Sequence, residues 1–272
     1  MKYSIVMTHV NRERQLDNTL FSISLSKVDK EKYEVIIVDD NSTKCIENTV
    51  SKYFNTMNIK YLKLKEINKN HYNSCVPYNY GFSIASGENI IIQNAECLHY
   101  GDLLNVCENL QNLQNEYYVF SCYSLSKEKT YNLFKIEHGI KYFEDIKQTL
   151  SFNSVGASRD HSDSWYNHPI YRNVNYHFCS IISRKNLKNI NGFDEEYKYG
   201  FDYDDNEILH RIKLANIKVN PILEENCFVI HQFHENSRNN IENIKNLNYN
   251  IFVNKTLKKS IFRANENKEI LR

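Results

Sequence analysis

A chain of 272 residues, 41% apolar and 25% charged, can bury a core without metal or disulfide staples, and a disordered scaffold is excluded. A formal net charge of +1 excludes a field that would hold nucleic acid or an anionic membrane non-specifically, while a local basic patch could still hold a diphosphate. The seven cysteines show no C-x-x-C spacing, so they read as reduced core thiols of a cytosol-like compartment and not as a zinc cage or disulfide framework. The apolar run at the N-terminus is too short for a signal peptide, and no later stretch has the length of a membrane span. A soluble or at most peripheral cytoplasmic protein is expected. No Pro/Gly/Ser-rich linker divides the chain, which reads as one domain built from two halves.

Tyr3 to Thr8 and Tyr33 to Asp39 are β-branched runs suited to strands buried on both faces of a parallel sheet. Between them Leu16, Leu20 and Ile23 recur at i, i+4, i+7 on one helix face, which completes a βαβ unit. A strand follows at Ile59 to Leu64, then a polar loop from Asn68 to Ser74. A helix over Tyr78 to Ala85 is expected to close at Gly87 before a strand over Asn89 to Gln93. Leu103, Val106, Leu110 and Leu113 predict another helix, and Tyr117 to Tyr123 one aromatic strand. Beyond a polar aromatic segment, Trp165 to Tyr176, come a strand over Phe178 to Ser183, a turn at Asn191-Gly192, a helix over Asn206 to Ala215, and a strand from Cys227 to Ile230 that runs into His231. The tail past Asn236 is weakly periodic and reads as a helical extension, residues 236–272, packed on the outside.

In open α/β sheets ligands sit at the carboxyl ends of strands, so the polar residues just after each strand are the candidates. Thr8, His9, Asn11 and Arg12 follow the first strand, Asp39, Asp40, Asn41 and Ser42 the second, and Asn94, Ala95 and Glu96 the strand begun at Asn89. Taken alone, D-D-N-S is a turn that caps the next helix. Its position beside a second polar strand end puts a ligand site on an even footing with that turn.

The run S-I-V-M-T-H-V-N-R-E from Ser4, with V-I-I-V-D-D-N-S from Val35, resembles the opening of the family 2-like glycosyltransferases of the GT-A fold. Asn79, Gly81, Ala85 and Gly87 match the helix before that family's metal strand, and the resemblance covers about the first hundred residues and returns near residue 190. It implies a GT-A (Rossmann-like) α/β domain over residues 1–235, its mixed, mainly parallel sheet flanked by helices. Residues 1–100 would form the nucleotide-binding half and residues 101–235 the acceptor and catalytic half. It also implies Thr8 and Asp39 as nucleoside contacts, with Asn11, Arg12, Asp40 and Asn94 completing the donor site. Where the family carries D-x-D this chain has Asn94-Ala95-Glu96, so a divalent cation depends on Glu96 for its carboxylate.

The segment N-G-F-D-E-E-Y-K-Y-G-F-D-Y-D-D-N-E from Asn191 resembles the G-G-F-D-E and acidic segments of the same superfamily, including the animal galactosyltransferases. Alignment on Arg211 implies Asp205 as the catalytic base and Asp204 as an acceptor contact. A plainer reading is also open: Asp204 with Glu207 has capping-box-like spacing. His231 and His234 follow the last strand, where the family places a histidine that completes metal coordination; His231 stands directly at the strand end and is the first choice. Trp165, the sole tryptophan, is either a sugar-stacking platform or buried core.

The resemblance thus implies a metal-dependent (Mn2+ or Mg2+) inverting glycosyltransferase with a nucleotide-sugar donor, a UDP-sugar in the leading reading, and a carbohydrate or glycoconjugate acceptor. The alternative is a non-catalytic nucleotide- or glycan-binding protein that keeps the fold; the Asn94 departure motivates it, and the Asp204-Asp205 pair and both histidines oppose it. A nucleotidyltransferase would open with a Gly-rich phosphate loop, and no glycine precedes Gly81.

Overall fold

A computed structural model describes residues 1–64, 70–150, 152, 161–235, 244, 246–258 and 260–271. Two sheets form among them. The larger has seven strands: β1 (Tyr3–His9), β2 (Tyr33–Asp39), β3 (Asn58–Lys63), β4 (Asn89–Asn94), β6 (Glu116–Val119), β9 (Cys179–Ser183) and β10 (Lys218–Pro221), in the spatial order β10-β6-β9-β4-β1-β2-β3. The smaller has the order β5-β11-β7-β8, from β5 (Cys97–Tyr100), β7 (Cys122–Ser124), β8 (Ser164–Asn167) and β11 (Phe228–His231). The mixed, mainly parallel α/β architecture expected from the sequence is present.

Strands β3, β2, β1 and β4 pair in parallel, and β9 alone in the large sheet runs against its neighbours β4 and β6. The order reverses at β1, because β2 and β3 extend to one side of it and β4 lies on the other. A crevice therefore opens outside the carboxyl ends of β1 and β4, the usual ligand position in such sheets.

The α-helices of the described residues are α1 (Glu13–Ser24), α2 (Glu47–Ser51), α3 (Cys75–Ile84), α4 (Leu103–Asn109), α5 (Lys127–Leu133), α6 (Tyr142–Leu150), α7 (Arg184–Ile190), α8 (Asp204–Leu214) and α9 (Leu247–Asn254). Alternation along each strand divides the core. Ile5, Met7, Val35 and Ile37 face α1 (Glu13–Ser24), which buries Leu16, Leu20 and Ile23 against them. Val6, Ile36, Val38 and Ile92 face the other way, onto Phe82 of α3 (Cys75–Ile84) and onto Ile208 and Ile212 of α8 (Asp204–Leu214). The small sheet packs Leu98, Phe228 and Ile230 against Tyr142, Ile146 and Leu150 of α6 (Tyr142–Leu150). Six cysteines are buried thiols, but Cys45 is exposed, outside the core expected for all seven.

Four elements differ from the sequence reading. The aromatic run at Tyr117 is two strands in different sheets, because the chain turns at Phe120 and Ser121; Phe120 NH bonds Cys179 O at 3.0 Å, and Val229 NH bonds Ser121 O at 2.9 Å. The helix begun at Leu103 stops at Asn109, leaving Leu113 as a partly buried loop residue against the core. Helix α8 starts at Asp204, two residues early. Helix α3 starts at Cys75 and ends at Ala85 in an extended conformation, so Gly87 is no helix cap. Gly87 instead lets the chain cross β1. Its NH donates to Ser4 Oγ at 2.8 Å, and a Cβ there would lie 2.5 Å from Ser4 N and 2.6 Å from Tyr3 C.

Ser4 in turn donates to the buried carboxylate of Glu34 at 2.6 Å, which also accepts from Ser86 N and pairs with Lys60 Nζ at 2.7 Å. Beyond β11, α9 (Leu247–Asn254) precedes a segment that buries Ile270 and Leu271 in the core beside α8. Because the atoms facing Gly87 are backbone and cannot swing aside, Gly87→Ala should lower stability by about 1–3 kcal/mol. Thermal melts against the parent check this, and an unchanged melting temperature would show that the crossing is not tight.

Candidate active site

The loops after β1 and β2 are stitched together. Asn11 adopts a left-handed backbone, φ 51°, and its Oδ1 accepts from both the NH and the Oγ1 of Thr43 at 2.9 Å. Asn11 NH donates to Ser42 Oγ at 2.9 Å, and Ser42 NH donates to Asp39 Oδ1 at 2.8 Å. The other oxygen of Asp39 accepts from Tyr61 OH at 2.8 Å, so this fully buried carboxylate is held from both sides. Asp40 contacts His71 Nε2 at 2.8 Å. Thr8 lies half-buried at the end of β1.

The three residues expected to bind metal, Glu96, His231 and His234, come together at the end of β4. Glu96 Oε1 is 3.5 Å from His231 Nε2 and 3.7 Å from His234 Nε2, while Glu96 Oε2 meets Arg12 Nη1 at 2.6 Å. Asn94 Nδ2 reaches Glu96 Oε1 at 3.4 Å. Burial works to raise the Glu96 pKa, but Arg12 and then the two histidines outweigh it and hold the carboxyl well below the usual range. Burial, with Arg12 nearby, pushes His234 down to about 4. Ligand atoms of Glu96, His231 and His234 all lie within 4.8 Å of one another, close enough to converge on one ion. The ring of His161, which sequence reading passed over, lies 5.5 Å from that of His231 and 5.2 Å from that of His234.

The second cluster lies at the start of α8. Tyr203, φ 65°, takes the N-cap position without a side-chain cap bond, and Glu207 makes a buried pair with Arg211, so the capping-box reading of Asp204 with Glu207 does not hold. Arg211 also donates to Ile190 O at 2.7 Å and Gly192 O at 2.9 Å, which ties the N-G-F-D-E segment to the helix. Asn79 holds the same segment from α3, bonding Phe193 through both its N and its O. Asp205 Oδ1 accepts from the backbone NH of His177 at 2.9 Å and lies 2.6 Å from His177 Nδ1. Asp204 Oδ1 accepts from Asn73 Nδ2 at 3.1 Å. Burial and the neighbouring Asp205 raise the Asp204 pKa. His177, Asp204 and Asp205 also bring ligand atoms within 4.8 Å, but their imidazole–carboxylate contact is already closed, whereas Glu96 faces two histidines at 3.5 and 3.7 Å.

Two features join the clusters. Tyr78 donates to Gln93 O at 2.8 Å and to Asn94 Oδ1 at 3.0 Å, while its ring meets His177 edge-on at 5.5 Å. The successive residues His177 and Phe178 point to different partners: His177 to Asp205, and Phe178 to the ring of His231 at 5.8 Å. Neither His177, Asn73 nor Tyr78 was singled out from sequence. Trp165 is half-buried, its ring against Tyr123, Phe228 and His168 at 4.5–5.2 Å.

The family model described as glycosyl transferase family 2 matches residues 4–189, more than half of the chain. The chain belongs to that family. A second model, described as the N-terminal domain of galactosyltransferase, matches residues 169–235 across the acidic segment. Among curated relatives, the poly(ribitol-phosphate) beta-N-acetylglucosaminyltransferase TarS of Staphylococcus aureus is 29% identical over 96 residues, which are 35% of this chain and 16% of TarS. Among solved structures, S. aureus TarS 1–349 in complex with UDP-GlcNAc superposes with TM-score 0.61 and 17% identity, over 87% of this chain and 60% of that one. The mannosyltransferase PcManGT of Pyrobaculum calidifontis, in complex with GDP-Man and Mn2+, gives 0.54 and 15% over 87% and 58%. The chain therefore spans less than two thirds of each, and the fold they share with it is GT-A. Among the described residues no helix is long and apolar enough to cross a membrane.

His9, between the two stitched loops, is buried, and neither ring nitrogen has a hydrogen-bond partner among the described residues. Burial pushes its pKa down from 6.5 to about 4. The unfolded chain then takes up the proton first as pH falls, so the stability is complete above pH 6.5 and lost towards pH 4. The melting temperature of the protein should fall across that window, and His9→Phe, which keeps a buried ring without a titrating group, should flatten the slope. Parallel slopes for parent and variant would contradict this.

Proposed function

We propose that this enzyme transfers a sugar from a UDP-sugar to a hydroxyl of a carbohydrate or glycoconjugate in one inverting displacement, with Mn2+ or Mg2+ bound by Glu96, His231 and His234. The observation that carries the reading is a fully buried carboxylate at the end of β4 met by two imidazoles from the end of β11. One carboxylate oxygen and two ring nitrogens suit a first-row divalent ion, and Asn94 turns its amide nitrogen to the same carboxylate at 3.4 Å. The solved complexes of TarS with UDP and UDP-GlcNAc, and of PcManGT with GDP-Man and Mn2+, support the choice of donor and ion. When bound, the ion supplies positive charge to the leaving diphosphate.

The chain's own residues do the rest. Residues 1–100 hold the donor: Thr8, Asn11, Asp39 and Asp40 line the nucleoside end, and Arg12 offers a fixed cation to the phosphates. Residues 101–235 supply the acceptor side, with Asp204 and Trp165 orienting the acceptor, and residues 236–272 extend the domain. Asp205 takes the proton from the acceptor hydroxyl as that oxygen bonds the anomeric carbon and the carbon–oxygen bond to the diphosphate breaks. The base stands opposite the leaving group, and the anomeric configuration inverts.

UDP should bind more tightly with manganese than with chelator, and Glu96→Gln should abolish most of the difference; equal affinity under both conditions in the parent would remove the metal from the mechanism. Asp205→Asn preserves size but cannot take a proton, so transfer should fall by about two orders of magnitude or more with UDP affinity near normal. Transfer rate, UDP affinity and melting temperature of that variant decide the matter, and a folded, active Asp205→Asn enzyme would end the assignment.

A further inference from the structure

We propose that His177 is a positioning residue for the transfer reaction, holding one oxygen of Asp205 between its ring and its own backbone NH and so fixing the orientation of that carboxylate. The proposal rests on the reading of Asp205 as the base. Two contacts from a single residue converge on Asp205 Oδ1: Nδ1 at 2.6 Å and the backbone NH at 2.9 Å. The ring contact is too far off line to be a directed hydrogen bond, so its strength is that of opposite charges.

The imidazole cannot swing away. Its side chain is 6% exposed, Tyr78 meets it edge-on, and the Phe193 ring lies 4.9 Å from it. Asp205, by contrast, keeps 26% of its side chain exposed, so the acid remains reachable while its partner does not. The titratable groups around the pair are Asp204 and Asp205 on α8, Tyr78 and Cys75 on α3, Tyr117 on β6, and Tyr176 beside His177 itself. None of these is a cation; Arg172, on the far side, lies 6.0 Å from the centre of the Tyr176 ring.

Two adjacent carboxylates facing an anionic diphosphate would repel it and each other. One buried imidazolium offsets one of those charges. Burial alone would push the His177 pKa down, but Asp205, with Asp204 behind it, outweighs burial and raises it. Loss of the ring would remove one positive charge from beside Asp205, 2.6 Å from its Oδ1.

Two measurements on the full chain test this. Histidine ring resonances followed by NMR against pH should show His177 titrating at least about one unit lower in Asp205→Asn than in the parent. In His177→Gln, which keeps the backbone NH and a polar side chain, the acid limb of the kcat/KM profile should move to higher pH by about one unit, with kcat lowered and donor KM near the parent value. An unmoved His177 titration in Asp205→Asn overturns the pairing whatever the activity of that variant. A profile that only scales down, with its limb in place, overturns the positioning role. If His177 shifts but Asp205→Asn is fully active, the pairing stands as an ion pair, and it is the base assignment that fails.

Discussion

One strand of the main sheet runs against its neighbours, and the active-site arrangement depends on that reversal. Six strands end on the side where ligands bind open α/β sheets, and β9, hydrogen-bonded between β4 and β6, begins there. The residues that lead into β9 therefore arrive among the ends of the others. His177 reaches helix α8, and Phe178, whose carbonyl accepts from Asn94 NH at 3.1 Å, reaches the histidines of β11. With β9 parallel to β4, this segment would enter the sheet at the opposite edge, and the acidic pair would have no buried cation.

The same arrangement answers an electrostatic problem. Burying a carboxylate is costly unless cations and donors meet it. Each buried acid here has its own solution. Glu34 is met by Lys60 and serine donors, Glu207 by Arg211, and Glu96 by Arg12 and two histidines. The first two are structural, with partners that also hold backbone in place. Glu96 differs because its partners come from two loops and a strand end that face the crevice, and because two of the three are imidazoles, side chains that often ligate metals.

Much of the arrangement of strand ends was legible in the sequence. A βαβ opening needs only a local hydrophobic pattern, and the parallel pairing of β1, β2 and β4 then fixes which loops share a crevice. Thr8, Asp39, Asn94 and Glu96 could thus be picked out as strand-end residues, and Glu96 does lie against His231 and His234. The chain's membership of glycosyl transferase family 2 agrees with the resemblance carried by those segments. Asn11 shows the limit of the method: its place in the loop was right, yet its side chain closes onto Thr43, a contact made across 32 residues of chain.

The sequence by itself determined the fold class, the family and the short list of polar strand ends, because those follow from residue periodicity and from contiguous motifs. It could not give the direction of β9, since alternation and β-branching look the same whichever way a strand runs. Hence His177 fell between the aromatic segment that ends at Tyr176 and the strand that begins at Phe178, and it was not singled out. Nor could it separate the run at Tyr117 into strands of two sheets, because the break at Phe120 and Ser121 is set by pairing with β9 and β11 and not by any turn residue. Which imidazole meets which carboxylate was decided by tertiary structure alone. Glu96 and His231 stand 135 positions apart and His177 and Asp205 stand 28, and only the packing of strands and helices brings such groups within the few ångströms over which buried charges govern one another.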